Sequence, residues 1–91
     1  MIRILLTGQL RDITNGTREL ELSRAEDVET LVGELEKTFP GIGTRIVDDQ
    51  GKIRPYVNVF VNTENSRDLR REKTRLKDGD TVHILPSVAG G

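Results

Sequence analysis

The sequence predicts an α+β fold in which one face of a β-sheet is covered by one helix. Three observations support this prediction. Short segments in both halves of the chain alternate between apolar and polar residues, as half-buried strands do. Between them, apolar residues recur with helical spacing over residues 28–39. The 91 residues contain no linker-like stretch and no internal repeat, which indicates a single domain.

The N-terminal part of the chain predicts two strands, residues 2–7 and 17–22, that pair as an antiparallel hairpin. Asn15 and Gly16 lie between them and are a strong short hairpin signal, because both residues accept the positive φ angles of tight turns. The face of this hairpin that points toward the core is expected to carry Ile2, Ile4, Leu6, Leu20 and Leu22.

The middle of the chain predicts the main helix. Ser23 or Asp27 can cap its N-terminus, since a side-chain oxygen there accepts a hydrogen bond from a free backbone N–H. Pro40 and Gly41 are expected to end it. The stripe that packs on the sheet consists of Val28, Leu31, Val32, Leu35 and Phe39. A short second turn or helix then closes the core with Ile42, Ile46 and Val47.

The second half of the chain predicts further strands on the same sheet. Residues 56–62 alternate clearly, whereas residues 63–76 are polar and charged and predict an irregular crossing with one short edge strand. A turn at residues 77–80, where Gly79 supplies a positive φ, leads into the last strand at residues 81–85. The inward residues of these two strands are expected to be Val57, Val59, Val61, Val82 and Ile84.

Composition excludes several classes of function. The chain has no cysteine, which removes disulfides, thiolate nucleophiles and cysteine zinc sites. Its net charge is −1, so no overall field favours nucleic acid or an anionic membrane, and we predict neither as a partner. No apolar run approaches the roughly 20 residues of a transmembrane helix. No signal segment precedes the first strand pattern, so we predict a cytoplasmic location.

Two further features are interpreted as surface chemistry rather than as sites. His83 is the single histidine and is expected to point outward from the last strand, so no metal site is predicted. Six basic residues between Arg67 and Lys77 are interleaved with Asp68 and Glu72. This mixture predicts a locally neutralised surface rather than a nucleic-acid site.

The chain ends in a short tail of small residues with two terminal glycines. Pro86 has no N–H and is expected to stop strand pairing, which predicts a domain over residues 1–85 and a flexible tail over residues 86–91. Six residues reach at most about 20 Å. Gly90 and Gly91 lack a Cβ, so they can enter a narrow channel and accept any φ that a partner imposes.

The chain resembles the MoaD/ThiS family of ubiquitin-like sulfur carriers over its whole length. The resemblance lies in the ββαβ order, in the segment Lys77-Asp78-Gly79-Asp80-Thr81-Val82, and in the tail from Leu85-Pro86 to Gly90-Gly91. It implies a β-grasp fold with a mixed four- to five-stranded sheet and one main helix packed on one face. The form of the tail is most similar to that of the carriers that feed sulfur to cysteine-synthase-type enzymes.

The resemblance also implies a reaction at Gly91. An E1-like adenylyltransferase of the MoeB/ThiF type, using ATP and magnesium, adenylates the terminal carboxylate. A sulfur donor such as a rhodanese or a cysteine desulfurase then displaces AMP, and the thiocarboxylate passes sulfur to an acceptor enzyme in the biosynthesis of a small molecule. A JAMM-type zinc peptidase is a further candidate partner. The chain itself is then a protein co-substrate that binds no cofactor, not an enzyme.

An activating enzyme needs a surface to hold besides the tail, and the uncovered face of the sheet is the candidate. The residues expected to contact partners are Leu5, Phe60 and Leu85 on that face, with Pro86, Val88 and Ala89 in the tail. Two alternative functions stay open at this point. The first alternative to the sulfur carrier is a ubiquitin-like modifier joined to lysines through Gly91. The second is the small subunit of a molybdopterin synthase.

Overall fold

The computed structural model describes residues 1–86 and places them in a five-stranded mixed sheet, with the helices packed against one face. This confirms the predicted α+β fold. The strands are β1 (Ile2–Leu6), β2 (Glu19–Leu22), β3 (Val57–Val61), β4 (Glu64–Asn65) and β5 (Thr81–Pro86). The helices are α1 (Leu10–Ile13), α2 (Val28–Thr38) and α3 (Gly43–Ile46), and two 3-10 turns span Ser66–Asp68 and Arg71–Lys73.

The topology places the last strand in the middle of the sheet. The strand order is β2-β1-β5-β3-β4, so β5 pairs with β1 on one side and with β3 on the other. The β1–β5 pair is parallel, and the other pairs are antiparallel. Because β1 and β5 run in the same direction, the chain leaves β5 at the same end of the sheet at which it leaves β1.

The predicted N-terminal hairpin is confirmed in its pairing and corrected in its connection. β1 and β2 pair antiparallel with Ile2 opposite Leu22, and Asn15 and Gly16 have the predicted positive φ of 56° and 86°. The connection, however, is not a tight turn, because it contains the helix α1. Leu10 at the start of α1 is only 1% exposed, and its burial in the core explains why the chain folds inward there.

The main helix forms as predicted, with Asp27 as its cap. The Asp27 carboxylate accepts hydrogen bonds of 2.8 Å from both the backbone N–H and the hydroxyl of Thr30. Leu35 lies in the middle of the stripe that packs on the sheet and is 0% exposed. The predicted inward residues of β1, β3 and β5 are buried in one core with most of this stripe. Leu20, Leu22, Phe39 and Val47, which were also predicted to face the core, are only partly buried at its margin.

The polar crossing after β3 is confirmed as irregular, with β4 as its short edge strand. Arg67, the first of the six basic residues, holds this crossing in place through hydrogen bonds to the backbone. Its guanidinium donates hydrogen bonds to the carbonyl oxygens of Arg54, Pro55 and Val57 at 2.9, 2.7 and 2.7 Å. Within residues 1–86, no helix is long and apolar enough to cross a membrane.

β5 continues one residue further than expected. Pro86 pairs with Val57, so strand pairing does not stop before the proline, and β5 includes residue 86. Antiparallel pairs alternate between bonded and non-bonded positions. Asn62 lies opposite Thr81 just beyond β3, and its N–H donates to the Thr81 carbonyl at 2.7 Å, so these two residues are a bonded pair. Val57 and Pro86 lie five pairs further along the same register and are therefore a non-bonded pair. Toward β3, this position requires no N–H from the proline.

A carboxylate joins α2 to α3. Glu36 accepts hydrogen bonds from the backbone N–H groups of Gly41 at 2.9 Å and Gly43 at 2.7 Å. These two bonds hold the pKa of Glu36 below its ordinary value. A Cβ at Gly43 would lie 2.8 Å from the carboxylate oxygen, so the absence of a side chain there makes room for the contact.

Replacing Glu36 by glutamine is therefore expected to flatten the dependence of stability on pH. Because the pKa is lowered by folding, the charged carboxylate stabilises the native state above the unfolded value of about 4.3, and this contribution is lost as the pH falls below it. We expect Glu36→Gln to lower the melting temperature at pH 7. We also expect the melting temperature of this variant to decrease less than that of wild type when the pH is lowered. Gly43→Ala, which displaces the same carboxylate, should reproduce both effects. Parallel melting curves for wild type and Glu36→Gln from pH 7 to acid would contradict this role.

Candidate functional site

The predicted site residues divide into two groups. Gly90, Gly91, Val88 and Ala89 lie outside the described residues, so their proposed roles stay predictions. The others, Leu5, Phe60, Leu85 and Pro86, lie within the described part of the chain, on the last strand and its two neighbours in the sheet.

The root of the tail is the C-terminal end of β5, which is held firmly in the sheet. Ile84 is 0% exposed, and its carbonyl oxygen accepts a hydrogen bond of 3.2 Å from the hydroxyl of Thr7. Gly8 lies beside Pro86, since a Cβ at this glycine would be 3.8 Å from the proline ring and from its carbonyl oxygen. Gly8 also has a φ of +63°, which favours glycine. The residues after Pro86 therefore start from a fixed point beside the β1–α1 connection.

The three apolar residues predicted for the uncovered face are brought together there. Leu5 and Phe60 are the cross-strand neighbours of His83 on either side, and Leu85 follows two residues later on the same face. Each is half-buried, so the surface they form is smaller than three exposed side chains would give. The described helices bury their apolar residues in the core, which lies on the opposite side of the sheet.

The centre of this face is a histidine whose environment differs from the predicted one. His83 points outward as expected, but it is half-buried, and its Nε2 atom is shielded from solvent without a hydrogen-bond partner in the described chain. Leu5 and Phe60 flank it from the two neighbouring strands. Strand alternation alone indicates the direction of the side chain. It does not indicate this shielding, which depends on strands distant in sequence. Within residues 1–86, no group of three acidic or histidine side chains is arranged to hold a metal ion.

A groove runs from this face to the root of the tail. It is lined by Leu5, Leu6, Thr7, Gly8, Arg11, Arg18, Glu19 and His83. Glu19 is paired with Arg3, whose guanidinium donates to both carboxylate oxygens at 2.6 and 3.0 Å. This bond lowers the pKa of Glu19 and raises that of Arg3. Neither Arg11 nor Arg18 forms an ion pair with another residue of the described chain.

The sequence alone does not indicate the arginines of this groove. Arg11 lies on α1, which the sequence did not predict, and Arg18 is exposed just before β2. Their positions at one groove depend on the parallel pairing of β1 with β5, which brings the first connection next to the last strand. Taken together, the described residues place a half-buried apolar face and a groove beside the C-terminal end of β5.

Comparison with known proteins places the sequence in a family. The sequence profile of the ThiS family matches residues 4–91. The sulfur carrier protein CysO of Mycobacterium tuberculosis is 37% identical over 84 residues, which cover 90% of this chain and 89% of the relative.

Two solved structures extend the likeness to the fold. A chain in the crystal structure of the Amycolatopsis orientalis BexX/CysO complex superposes with a TM-score of 0.89 at 33% identity, covering 100% of both chains. The solution structure of small archaeal modifier protein 1 from Methanosarcina acetivorans has a TM-score of 0.81 at 32% identity, covering 99% of this chain and 95% of that one. The predicted ubiquitin-like β-grasp fold is thereby confirmed.

Proposed function

Because this chain belongs to the ThiS family, we propose that it carries sulfur as a thiocarboxylate formed at the C-terminus of Gly91. In its general role it is a sulfur carrier protein like its relatives, and the family consists of carriers rather than enzymes. The observation that carries the proposal is the position of β5. This strand is fixed between β1 and β3 and ends at Pro86, five residues before Gly91.

The chemistry begins at the terminal carboxylate. An α-carboxyl group ordinarily has a pKa of about 3.5, so it is ionised at neutral pH. A carboxylate oxygen attacks the α-phosphorus of ATP, and pyrophosphate leaves. The terminal sulfur of a persulfide on a donor such as a rhodanese or a cysteine desulfurase then attacks the acyl carbon, and AMP leaves. A thiol reduces the S–S bond of the resulting acyl disulfide, which releases the thiocarboxylate and leaves a disulfide on the donor. Positioning dominates such phosphoryl-type transfers, so the MoeB/ThiF-type partner supplies ATP, magnesium and the basic residues.

The geometry of the tail suits delivery into another protein. Five residues beyond Pro86 reach at most about 17 Å, using 3.3–3.6 Å per residue. The carboxylate can therefore enter a deep active site while the folded domain stays outside. Where residues follow Gly91 in the gene product, a JAMM-type zinc peptidase exposes the carboxylate first.

Partner docking is assigned to the uncovered face and to the tail. Leu5, Phe60 and Leu85 surround His83 beside the exit of the tail, and Pro86, Val88 and Ala89 follow as the first contacts inside the partner. One of the similar structures belongs to a complex named for two proteins, BexX and CysO. That complex supports the proposal that a chain of this shape docks onto a partner protein.

Replacing Phe60 by serine is expected to raise the KM of the activating enzyme for the carrier by on the order of 10-fold or more, as loss of an aromatic anchor does. The kcat at saturation should stay unchanged, because the tail is intact. Leu69→Ser is the matched control, since Leu69 is 40% exposed and lies between the two 3-10 turns. Equal KM values for the two variants, both shown to be folded by circular dichroism, would remove Phe60 from the interface.

The direct test of the function is charging of the purified chain. With ATP, magnesium, the MoeB/ThiF-type enzyme and a sulfur donor, we expect pyrophosphate release that depends on the carrier, and sulfur at Gly91. A chain without Gly90 and Gly91 should give neither. If the intact chain also fails to promote pyrophosphate release with the cognate activating enzyme, the proposal is wrong.

A second candidate function is protein modification through Gly91. It is favoured by the 32% identity and shared fold with small archaeal modifier protein 1. Both functions proceed through the adenylate, so they differ only in what receives the activated glycine. Mass spectrometry of cellular proteins separates them: Gly-Gly branches on lysines indicate the modifier. Tight co-purification with a larger subunit would instead indicate the molybdopterin-synthase type of assembly.

A further inference from the structure

We propose that Arg11 and Arg18 form a cationic contact site, beside the root of the tail, for carboxylates on the surface of the activating enzyme. The inference rests on the proposed function, because the occupant is the enzyme that adenylates Gly91. It goes beyond that function by adding a charged contact to the apolar face around His83.

The two arginines are held near the tail by backbone contacts that fix the β1–β2 connection. The Leu6 N–H donates to the carbonyl oxygen of Arg18 at 2.7 Å. The Arg11 N–H donates to the carbonyl oxygen of Gly8 at 3.2 Å, and the Arg11 carbonyl oxygen accepts from the Gly16 N–H at 2.8 Å. Gly8 is the residue that lies against Pro86. The guanidinium groups are therefore presented from an ordered backbone next to the exit of the tail.

The charge of this groove is not neutralised within the described chain. Its lining includes one carboxylate, Glu19, which is bound at both oxygens by Arg3. Asp12 lines the adjoining groove together with Arg11 and Arg18, but it forms no ion pair with either. Elsewhere in the described chain, Lys73 and Arg75 are paired with glutamates, whereas Arg24 and Arg45 form no ion pair but lie outside the groove. Two unpaired guanidinium groups beside a docking face complement an acidic surface.

The distance from Gly91 indicates which step these arginines affect. The five residues between the root and the terminus span up to about 17 Å when extended. In that conformation the arginines lie far from the reacting phosphate and act on association with the enzyme. Charge pairs at the rim of an interface mainly change the rate of encounter and its dependence on salt.

The test uses the full chain and pyrophosphate exchange by the MoeB/ThiF-type enzyme of the same organism. The variant Arg11→Glu/Arg18→Glu is expected to raise KM for the carrier by on the order of 10-fold at low ionic strength, with kcat retained. The difference in KM between this variant and wild type should decrease at 1 M salt, where the Debye length is about 3 Å and surface charges are screened. Arg11→Lys/Arg18→Lys, which keeps both charges, should recover most of the affinity.

The matched control is Arg24→Glu/Arg45→Glu. Both of these arginines are exposed and lie outside the groove, one between β2 and α2 and the other on α3, and the change in net charge is the same. Its KM should stay close to that of wild type. If the two reversals raise KM equally, the effect is one of net charge and the proposed contact site is wrong. A loss of kcat without a change in KM also overturns it.

The outcome for wild type separates this inference from the proposed function. If wild type supports exchange and the Arg11/Arg18 reversal behaves like the control, this inference alone is wrong. If wild type does not support exchange, the proposed function fails, and the inference that rests on it fails too. Melting curves for each variant confirm that the comparison is made between folded proteins.

Discussion

Replacing Gly91 by alanine is expected to lower the rate of adenylation by on the order of 100-fold, which is the scale of loss when a reacting group is displaced by about 1 Å. The added Cβ restricts the backbone angles of the last residue, and it makes this residue wider at the point where it lies beside the nucleotide. The free energy of unfolding should not change, because the residue lies five positions beyond the end of β5. A large effect on chemistry with none on stability is the signature of a tail that acts inside a partner.

The measurement compares kcat for pyrophosphate release and the yield of thiocarboxylate between wild type and Gly91→Ala. Ser87→Ala is the matched control, since it changes the tail near its root and leaves the terminal residues intact. We expect this control to retain most of the activity. A normal yield of thiocarboxylate from Gly91→Ala would show that the terminal glycine has no special role.

Replacing Leu35 by alanine is expected to lower the free energy of unfolding by about 2–5 kcal/mol, the usual cost of removing a fully buried leucine side chain. Leu35 is 0% exposed and packs in the core between α2 and the sheet. A domain of this size has a stability of about 5–15 kcal/mol, so this loss is a large fraction of the total. Charging of Gly91 should then fall only in proportion to the unfolded population, because the tail is unchanged.

Urea denaturation of wild type, Leu35→Ala and Leu69→Ala tests this expectation. Leu69 is 40% exposed, and its truncation should change the stability by no more than about 0.5 kcal/mol. If Leu35→Ala were as stable as Leu69→Ala, the placement of α2 over the sheet would be wrong.

The strands and their faces were predictable from sequence because their side chains alternate with a period of two. Val57, Val59 and Val61 face the core as this alternation requires. The connection between β1 and β2 was not predictable in the same way. Asn15 and Gly16 have the turn geometry that the sequence favours, yet the connection also contains a short helix that is anchored in the core by Leu10 and whose stability depends on tertiary packing.

The candidate site, like the fold, could be predicted from the sequence only in part. Leu5, Phe60 and Leu85 could be placed on one face from the strand pattern, since each alternates with the inward residues of its own strand. The shielded Nε2 of His83 and the groove with Arg11 and Arg18 follow from strand order. Strand order brings together residues from opposite ends of the sequence, and local periodicity contains no information about it.

The most direct test of the account is the mass of the intact chain purified from its own cells without reducing or alkylating treatment. We predict that part of the population has one carboxylate oxygen replaced by sulfur, and that fragmentation places this sulfur on Gly91. A chain that carries only an ordinary carboxylate, both from cells and after incubation with ATP, its activating enzyme and a sulfur donor, would contradict the account.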